Sequence, residues 1–130
     1  MKVLIMGCGR VGAHLASLLE TAGHEVTVLD VDPSGFGKLP LTFRGNALLG
    51  DGTDEDSLRR AGIEEMDAFI ALTECDNTNI MAAQIAKSVF NVRKAVCRVY
   101  DPTREELYRE MGLDTFCPTA LMAESVVKRL

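Results

Sequence analysis

The hexapeptide Gly7-Cys8-Gly9-Arg10-Val11-Gly12 carries three glycines at a spacing that lets a backbone hold a pyrophosphate. Gly7 permits a tight turn, Gly9 lets phosphate oxygens approach the main chain, and Gly12 lets the following helix lie close to the preceding strand. At the positive end of that helix, free N–H groups face the anion. Arg10 falls in the first helical turn, where a cation opposes the helix dipole by about 0.3–1 kcal/mol. A bound phosphate reverses that sign. Arg10 is therefore either a phosphate contact or a solvated side chain.

Further along lie groups that suit the rest of a nucleotide. Asp30 ends the second apolar run, at the separation expected of a carboxylate that accepts ribose hydroxyls. Such a carboxylate repels a 2′-phosphate, which disfavours NADP; the competing reading is a turn aspartate ahead of Asp32-Pro33. Gly50-Asp51-Gly52-Thr53 and Thr73-Glu74 follow two more apolar runs, and Arg98 sits late in another. In doubly wound sheets the ligand crevice lies outside the carboxyl ends of the strands, so these positions converge on it. Asp51 as a local helix-cap partner and Arg98 as a structural ion pair are the competing readings.

The sequence offers no catalytic set. Tyr100 is followed four residues on by Arg104, and Tyr108 by Gly112, so no Tyr-x-x-x-Lys pair exists. The phosphate loop lacks the lysine of a nucleotide-hydrolysing P-loop. No Ser/His/Asp set is apparent, and His14 and His24 lie away from any carboxylate cluster. The expectation is a non-enzyme. A cofactor domain of an oxidoreductase whose catalytic part lies on another chain is the alternative, and a scaffold with a purely structural nucleotide is a third.

Short apolar runs alternate with helix-period segments, which favours a parallel sheet with helical crossovers. Strands are expected at Lys2–Met6, Glu25–Leu29, Asn46–Leu49, Ala68–Leu72 and Ala95–Tyr100, with a short sixth at Thr115–Phe116. The fold class is therefore α/β: a three-layer, Rossmann-type, doubly wound sheet in the order 3-2-1-4-5-6. The first helix should bury Val11, Leu15, Leu18, Leu19 and Ala22, with Gly23 as its stop. Thr53 with Asp56, and Thr103 with Glu106, read as capping boxes. A helix from Asn77 to Phe90 should bury Met81, Ile85 and Val89. Two glycines and Pro40 argue against a crossover helix between Asp32 and Gly45, where a broken turn or mobile loop is expected. Residues 1–118 form the nucleotide-binding domain. Residues 119–130 form a last helix with Leu121, Met122, Val126 and Leu130, either a dimer or crossover surface or part of the domain's own core.

Bulk properties narrow the class. A chain of 130 residues, 47% hydrophobic, holds one domain with a core of its own. The net charge of −5, without a run of like charges, argues against nucleic acid. No apolar stretch approaches the roughly 20 residues of a membrane span, which excludes direct membrane insertion. Cys8, Cys75, Cys97 and Cys117 have no paired spacing and read as reduced thiols of a cytosolic protein. No metal site is expected.

Taken together, Gly7–Gly12, Asp30, Gly50-Asp51-Gly52-Thr53-Asp54, Ala71-Leu72-Thr73 with Asp76-Asn77, and Arg98-Val99-Tyr100-Asp101-Pro102 resemble TrkA-type potassium-uptake regulators. The resemblance covers the N-terminal, nucleotide-binding lobe of the regulator-of-potassium-conductance domain. It implies a cytoplasmic subunit, peripheral to the inner face of the membrane. It further implies assembly as a homodimer or ring beneath a potassium channel or transporter, whose gate nucleotide exchange biases. The family's contacts carry over onto Gly7 through Val11, Asp30, Asp51, Thr73, Glu74 and Arg98. Members use NAD(H) or ATP/ADP/AMP. Two departures stand out: the stretch Ser34–Pro40 replaces a usual helix, and the customary C-terminal ligand-binding subdomain is absent from these 130 residues.

Overall fold

The computed structural model describes residues 1–130. Strand β1 (Lys2–Met6) is buried on both faces from Val3 onward, which makes it the central strand. Helix α1 (Arg10–Thr21) follows, then β2 (Glu25–Asp30), a 3-10 turn (Pro33–Lys38) and β3 (Asn46–Leu49). After these come α2 (Glu55–Arg60), β4 (Ala68–Ala71), α3 (Asp76–Ser88), β5 (Lys94–Arg98), α4 (Pro102–Glu110), β6 (Asp114–Phe116) and α5 (Pro118–Val127). All pairings are parallel and the order is β3-β2-β1-β4-β5-β6, the order expected of a Rossmann-type sheet.

Period-two alternation splits the core into two layers. Val3, Ile5, Val26 and Val28 pack under α1 through Ala13 and Ala16. Leu4, Met6, Leu29 and Phe69 face the other way, against Leu58 of α2 and Ile80, Ala83 and Ala86 of α3.

Several local expectations are corrected. The contact face of α1 is Gly12, Ala13 and Ala16, with Leu15 and Leu19 half-buried and Val11 and Leu18 exposed. In α3 the buried face is Asn79, Ile80, Ala82, Ala83 and Ala86, while Met81 and Val89 point to solvent. In both helices small residues take the contact because the helix axis lies close to the sheet, and the larger apolar groups flank it. Asp54, not Thr53, caps α2, since the Thr53 hydroxyl donates to Asp51 instead. Asp101 caps α4 with Pro102 at the first helical position, displacing the Thr103–Glu106 box.

No crossover helix forms after β2, as expected; a 3-10 turn takes its place. Asp32 caps the 3-10 turn by accepting from the Ser34 amide at 2.9 Å. Gly35 is buried against the glycine loop, where a Cβ would lie 2.3 Å from the Cys8 carbonyl oxygen. The Cys8 thiol in turn donates to the Gly35 carbonyl at 3.3 Å. Helix α5 contributes no buried residue, so the core-packing alternative for it is overturned.

Candidate functional site

The glycines of the loop after β1 occupy three different environments. Gly7 has φ +107°, and a Cβ there would lie 2.8 Å from the Leu72 carbonyl oxygen at the end of β4. A Cβ on Gly12 would lie 2.0 Å from the Gly7 carbonyl oxygen, so α1 could not seat. Around Gly9 there is nothing within 4 Å. Two glycines thus shape the turn, and the third leaves open space above it. The amides of Gly9, Arg10, Val11 and Gly12 donate to no acceptor in the protein; the first amide of the loop region to be satisfied by the helix is Ala13, on the Gly9 carbonyl at 2.9 Å.

Asp30 closes one side. Its Oδ2 accepts from the Cys8 amide at 2.7 Å and its Oδ1 from the Asp32 amide at 3.0 Å. The half-buried carboxylate therefore holds the glycine loop, and each oxygen keeps acceptor capacity for a further donor. With Gly50, Asp51, Gly52, Thr73 and Glu74 it lines a cavity of about 240 Å3 between the tips of β1, β2, β3 and β4. Asp51 Oδ1 accepts from both the hydroxyl and the amide of Thr53, at 2.7 and 2.9 Å. These two bonds hold its carboxyl below the usual range. Thr53 itself lines no cavity here; it orients Asp51. A Cβ on Gly52 would collide with the Met6 sulfur at 1.8 Å, so that glycine lets the β3 loop lie on β1.

Arg98 closes the other side. It is 5% exposed and lines a second cavity, of about 430 Å3, with Gly9 through Gly12, Lys38, Leu72, Glu74 and Tyr100. One terminal nitrogen donates to the carbonyls of Leu72 at 2.7 Å and Thr73 at 3.0 Å. The guanidinium stacks over the Tyr100 ring at 4.8 Å, and its buried Nε has no partner. Glu74 stands 4.0 Å away and is almost fully exposed, so the ion pair is a minor restraint. Glu74 borders both cavities and joins them into one crevice.

Asn79 is the residue that sequence reasoning missed. It lies in the first turn of α3 and is fully buried. Its Oδ1 accepts from the Thr73 amide and hydroxyl at 2.8 and 2.6 Å, and its Nδ2 donates to the carbonyls of Thr73 and Arg98 at 2.9 and 3.0 Å. One amide side chain thus clamps the tips of β4 and β5 together. The only signal in the sequence was a polar residue one position before the apolar Ile80 in a helix whose buried face had been misread. Asp76 acts beside it, accepting from the Tyr100 amide at 2.9 Å.

The structure brings Gly7, Gly9 through Gly12, Asp30, Asp51, Gly52, Thr73, Glu74 and Arg98 to one crevice. Cys8 contributes its amide to Asp30, while its thiol is buried and pushed up in pKa by burial and then by Asp30. The donor set fits a phosphorylated nucleoside: four unpartnered amides at a helix N-terminus, a carboxylate on one flank and a buried guanidinium on the other.

A six-stranded parallel sheet with a glycine loop at its switch point defines a Rossmann-type domain. The TrkA-N domain family matches residues 3–118, and the chain belongs to that family. It is 45% identical over 130 residues to a Trk system potassium uptake protein TrkA of Streptomyces coelicolor, covering all of this chain and 58% of that one. The chain spans about half the length of these curated relatives. Among solved structures it is similar to the TrkA-N domain of the Escherichia coli inner membrane protein ybaL, with a TM-score of 0.86 and 18% identity, covering 99% and 96% of the two chains. It is also similar to the Shewanella denitrificans Kef CTD in its AMP-bound form, with a TM-score of 0.83 and 22% identity, covering 97% and 77%. These two likenesses show the fold.

Proposed function

We propose that this chain is the nucleotide-sensing lobe of a regulator of potassium uptake, binding an adenine nucleotide, NAD(H) or ATP/ADP/AMP, rather than turning over a substrate. The observation that carries the reading is the set of four unpartnered amides, Gly9 through Gly12, set between Asp30 and the buried Arg98. Phosphate oxygens accept from those amides, ribose hydroxyls donate to Asp30 with Asp51 beside it, and Thr73, Glu74 and Arg98 border the far side. The Trk relatives and the AMP-bound Kef CTD support the ligand class and the transport role.

The membrane partner is a potassium channel or transporter subunit, with this lobe on the cytoplasmic side; no helix is long and apolar enough to cross a membrane. To act on such a partner, nucleotide must bind two arrangements of the crevice unequally, typically by about 1–3 kcal/mol. Assembly goes through α5, whose Leu121, Met122, Val126 and Val127 are all exposed. Sedimentation of the chain truncated after Pro118 should show loss of the dimer. Because α5 buries nothing in the domain, the truncated chain should still fold.

Titration calorimetry with NAD, NADH, ATP, ADP and AMP tests the site. In wild type at least one should bind. In Gly9→Val, where a side chain fills the space the phosphates need and meets no protein atom at its Cβ, affinity should fall at least about tenfold with little change in melting temperature. Full affinity in that variant defeats the reading. Sustained NADH oxidation with carbonyl substrates would instead favour an oxidoreductase cofactor domain.

A further inference from the structure

The two edges of the sheet are protected unequally. β6 is three residues long, opens on the charged Asp114 and runs straight into α5. β3 has no such protection: Asn46-Ala47-Leu48-Leu49 carries no charge and no proline, and it pairs only with β2. An edge left in that state is a template for another strand. Leu48 packs into the layer shared with α2, so Ala47 and Leu49 face the α1 side. The 3-10 turn stands there in place of a covering helix, and it leaves Ala47 exposed and Leu49 61% exposed.

The backbone of β3 is free along the same edge. Gly50 donates its amide to the Asp30 carbonyl at 3.0 Å, on the β2 side. Peptide groups alternate sides along a strand, so those of Ala47 and Leu49 turn outward, away from β2. In an antiparallel pair, two such residues lying opposite exchange both of their N–H···O bonds. A two-fold axis perpendicular to the sheet, passing between facing Leu48 residues, sets Ala47 of one copy opposite Leu49 of the other, and the reverse. Each of these pairs is hydrogen-bonded, with both side chains on the uncovered face.

Charge fits the same register. Arg44, exposed and engaged in no ion pair, precedes β3. Asp51, also exposed, follows it, and both hydrogen bonds it accepts go to Oδ1, leaving Oδ2 free. Counting outward from the axis, Gly45 falls opposite the partner's Asp51, with Arg44 beside it. Each copy's cation thus meets the other's carboxylate, and residues 33–50 contain no carboxylate to oppose the approach.

We infer that β3 is a docking edge for a second copy of this chain, joined antiparallel through Ala47 and Leu49 with Arg44 against Asp51 at both ends. An edge of four residues is too short to hold two free domains together. The contact therefore adds to association through α5, and in this respect the inference rests on that reading. The two surfaces lie at opposite edges of the sheet and leave each other free, so together they build assemblies larger than a dimer.

Sedimentation velocity of the intact chain over rising concentration, at low salt, tests this on wild type, Leu49→Lys, Ala47→Pro and Arg44→Glu. Leu49→Lys puts a charge on the edge, and Ala47→Pro removes an amide that the β2 ladder does not use. All three positions are exposed, so thermal melting should stay near the wild-type value. Wild type should pass beyond the dimer. Leu49→Lys and Ala47→Pro should weaken that step at least about tenfold. Arg44→Glu should weaken it about threefold, and high salt should erase that difference. A wild-type protein that stops at the dimer overturns the β3 contact and leaves α5 standing. Variants that associate as wild type does overturn it too, and a monomeric wild type overturns both surfaces. If Leu49→Lys instead dissolves the dimer itself, the β3 contact stands and the α5 route falls.

Discussion

The two ends of the sheet carry clefts that differ in what their polar groups do. At the amino ends, a cleft of about 490 Å3 is rimmed by Lys2, Glu20, Glu25, Arg44 and Glu65, and it is roomier than either cavity at the carboxyl ends. Several of its groups pair with one another. Lys2 lies 3.6 Å from Glu65 and 4.0 Å from Glu25, its amide donates to Asp67 at 2.8 Å, and Glu20 accepts from the Arg44 amide at 2.9 Å. At the carboxyl ends four helix amides and a buried arginine Nε have no partner. Volume therefore does not mark the site. Oriented donors held by a rigid turn do, because an anion there gains hydrogen bonds from amides already aimed at it and from the positive end of the helix dipole, while the buried Arg98 Nε still lacks an acceptor.

Substitutions at the two ends should separate accordingly. The largest effect belongs to Gly12→Val, which drives a side chain into the Gly7 carbonyl: a loss of about 3 kcal/mol or more in chemical denaturation, or an insoluble chain. A Gly12→Val protein as stable as wild type would show that α1 does not seat on the loop as described. Next comes Asn79→Ala, which strips partners from Thr73 and Arg98 at once. A loss of about 2–4 kcal/mol is expected, together with weaker nucleotide binding, since both strand tips border the crevice. Stability lost without any change in affinity would confine Asn79 to the fold.

Thiol chemistry gives a milder, positional test. Cys75 is exposed at the crevice and its thiol is held below the ordinary range by hydrogen bonds to Thr78, whereas burial pushes Cys97 up to about 11. Iodoacetamide should therefore label Cys75 at least about tenfold faster than the other three cysteines at neutral pH. Saturating nucleotide should slow that labelling; labelling indifferent to nucleotide would place the ligand elsewhere. The smallest effect is at the opposite end, where Lys2→Ala breaks two exposed ion pairs. A change within about 0.5 kcal/mol and no change in nucleotide affinity are expected, and a larger loss would make the lower cleft more than a solvated charge network.

How much of this could be read from the chain varied with the range of the interaction. The strands, the turn at Gly7 and the position of Asp30 followed from local patterns, since short apolar runs and glycine spacing are written in consecutive residues. The contact faces of α1 and α3 did not, because large apolar residues at helical spacing look like a core stripe whether or not a sheet lies close enough to prefer alanine. Caps moved by one or two residues, to Asp54 and Asp101, because neighbouring side chains competed for the same amides. The shape of the Ser34–Pro40 stretch was hidden for a related reason: Gly35 packs on Cys8, 27 residues earlier, whose thiol donates to its carbonyl.

By itself, the sequence determined a parallel α/β sheet and a glycine loop feeding a helix, since strand and helix periods and the freedom of glycine are properties of nearby residues. Only the tertiary structure decided that Asn79 ties two strand tips together and that Arg98 is held by backbone carbonyls rather than by an ion pair. Those contacts link residues far apart in the chain, and their energies depend on burial and distance that no local pattern encodes.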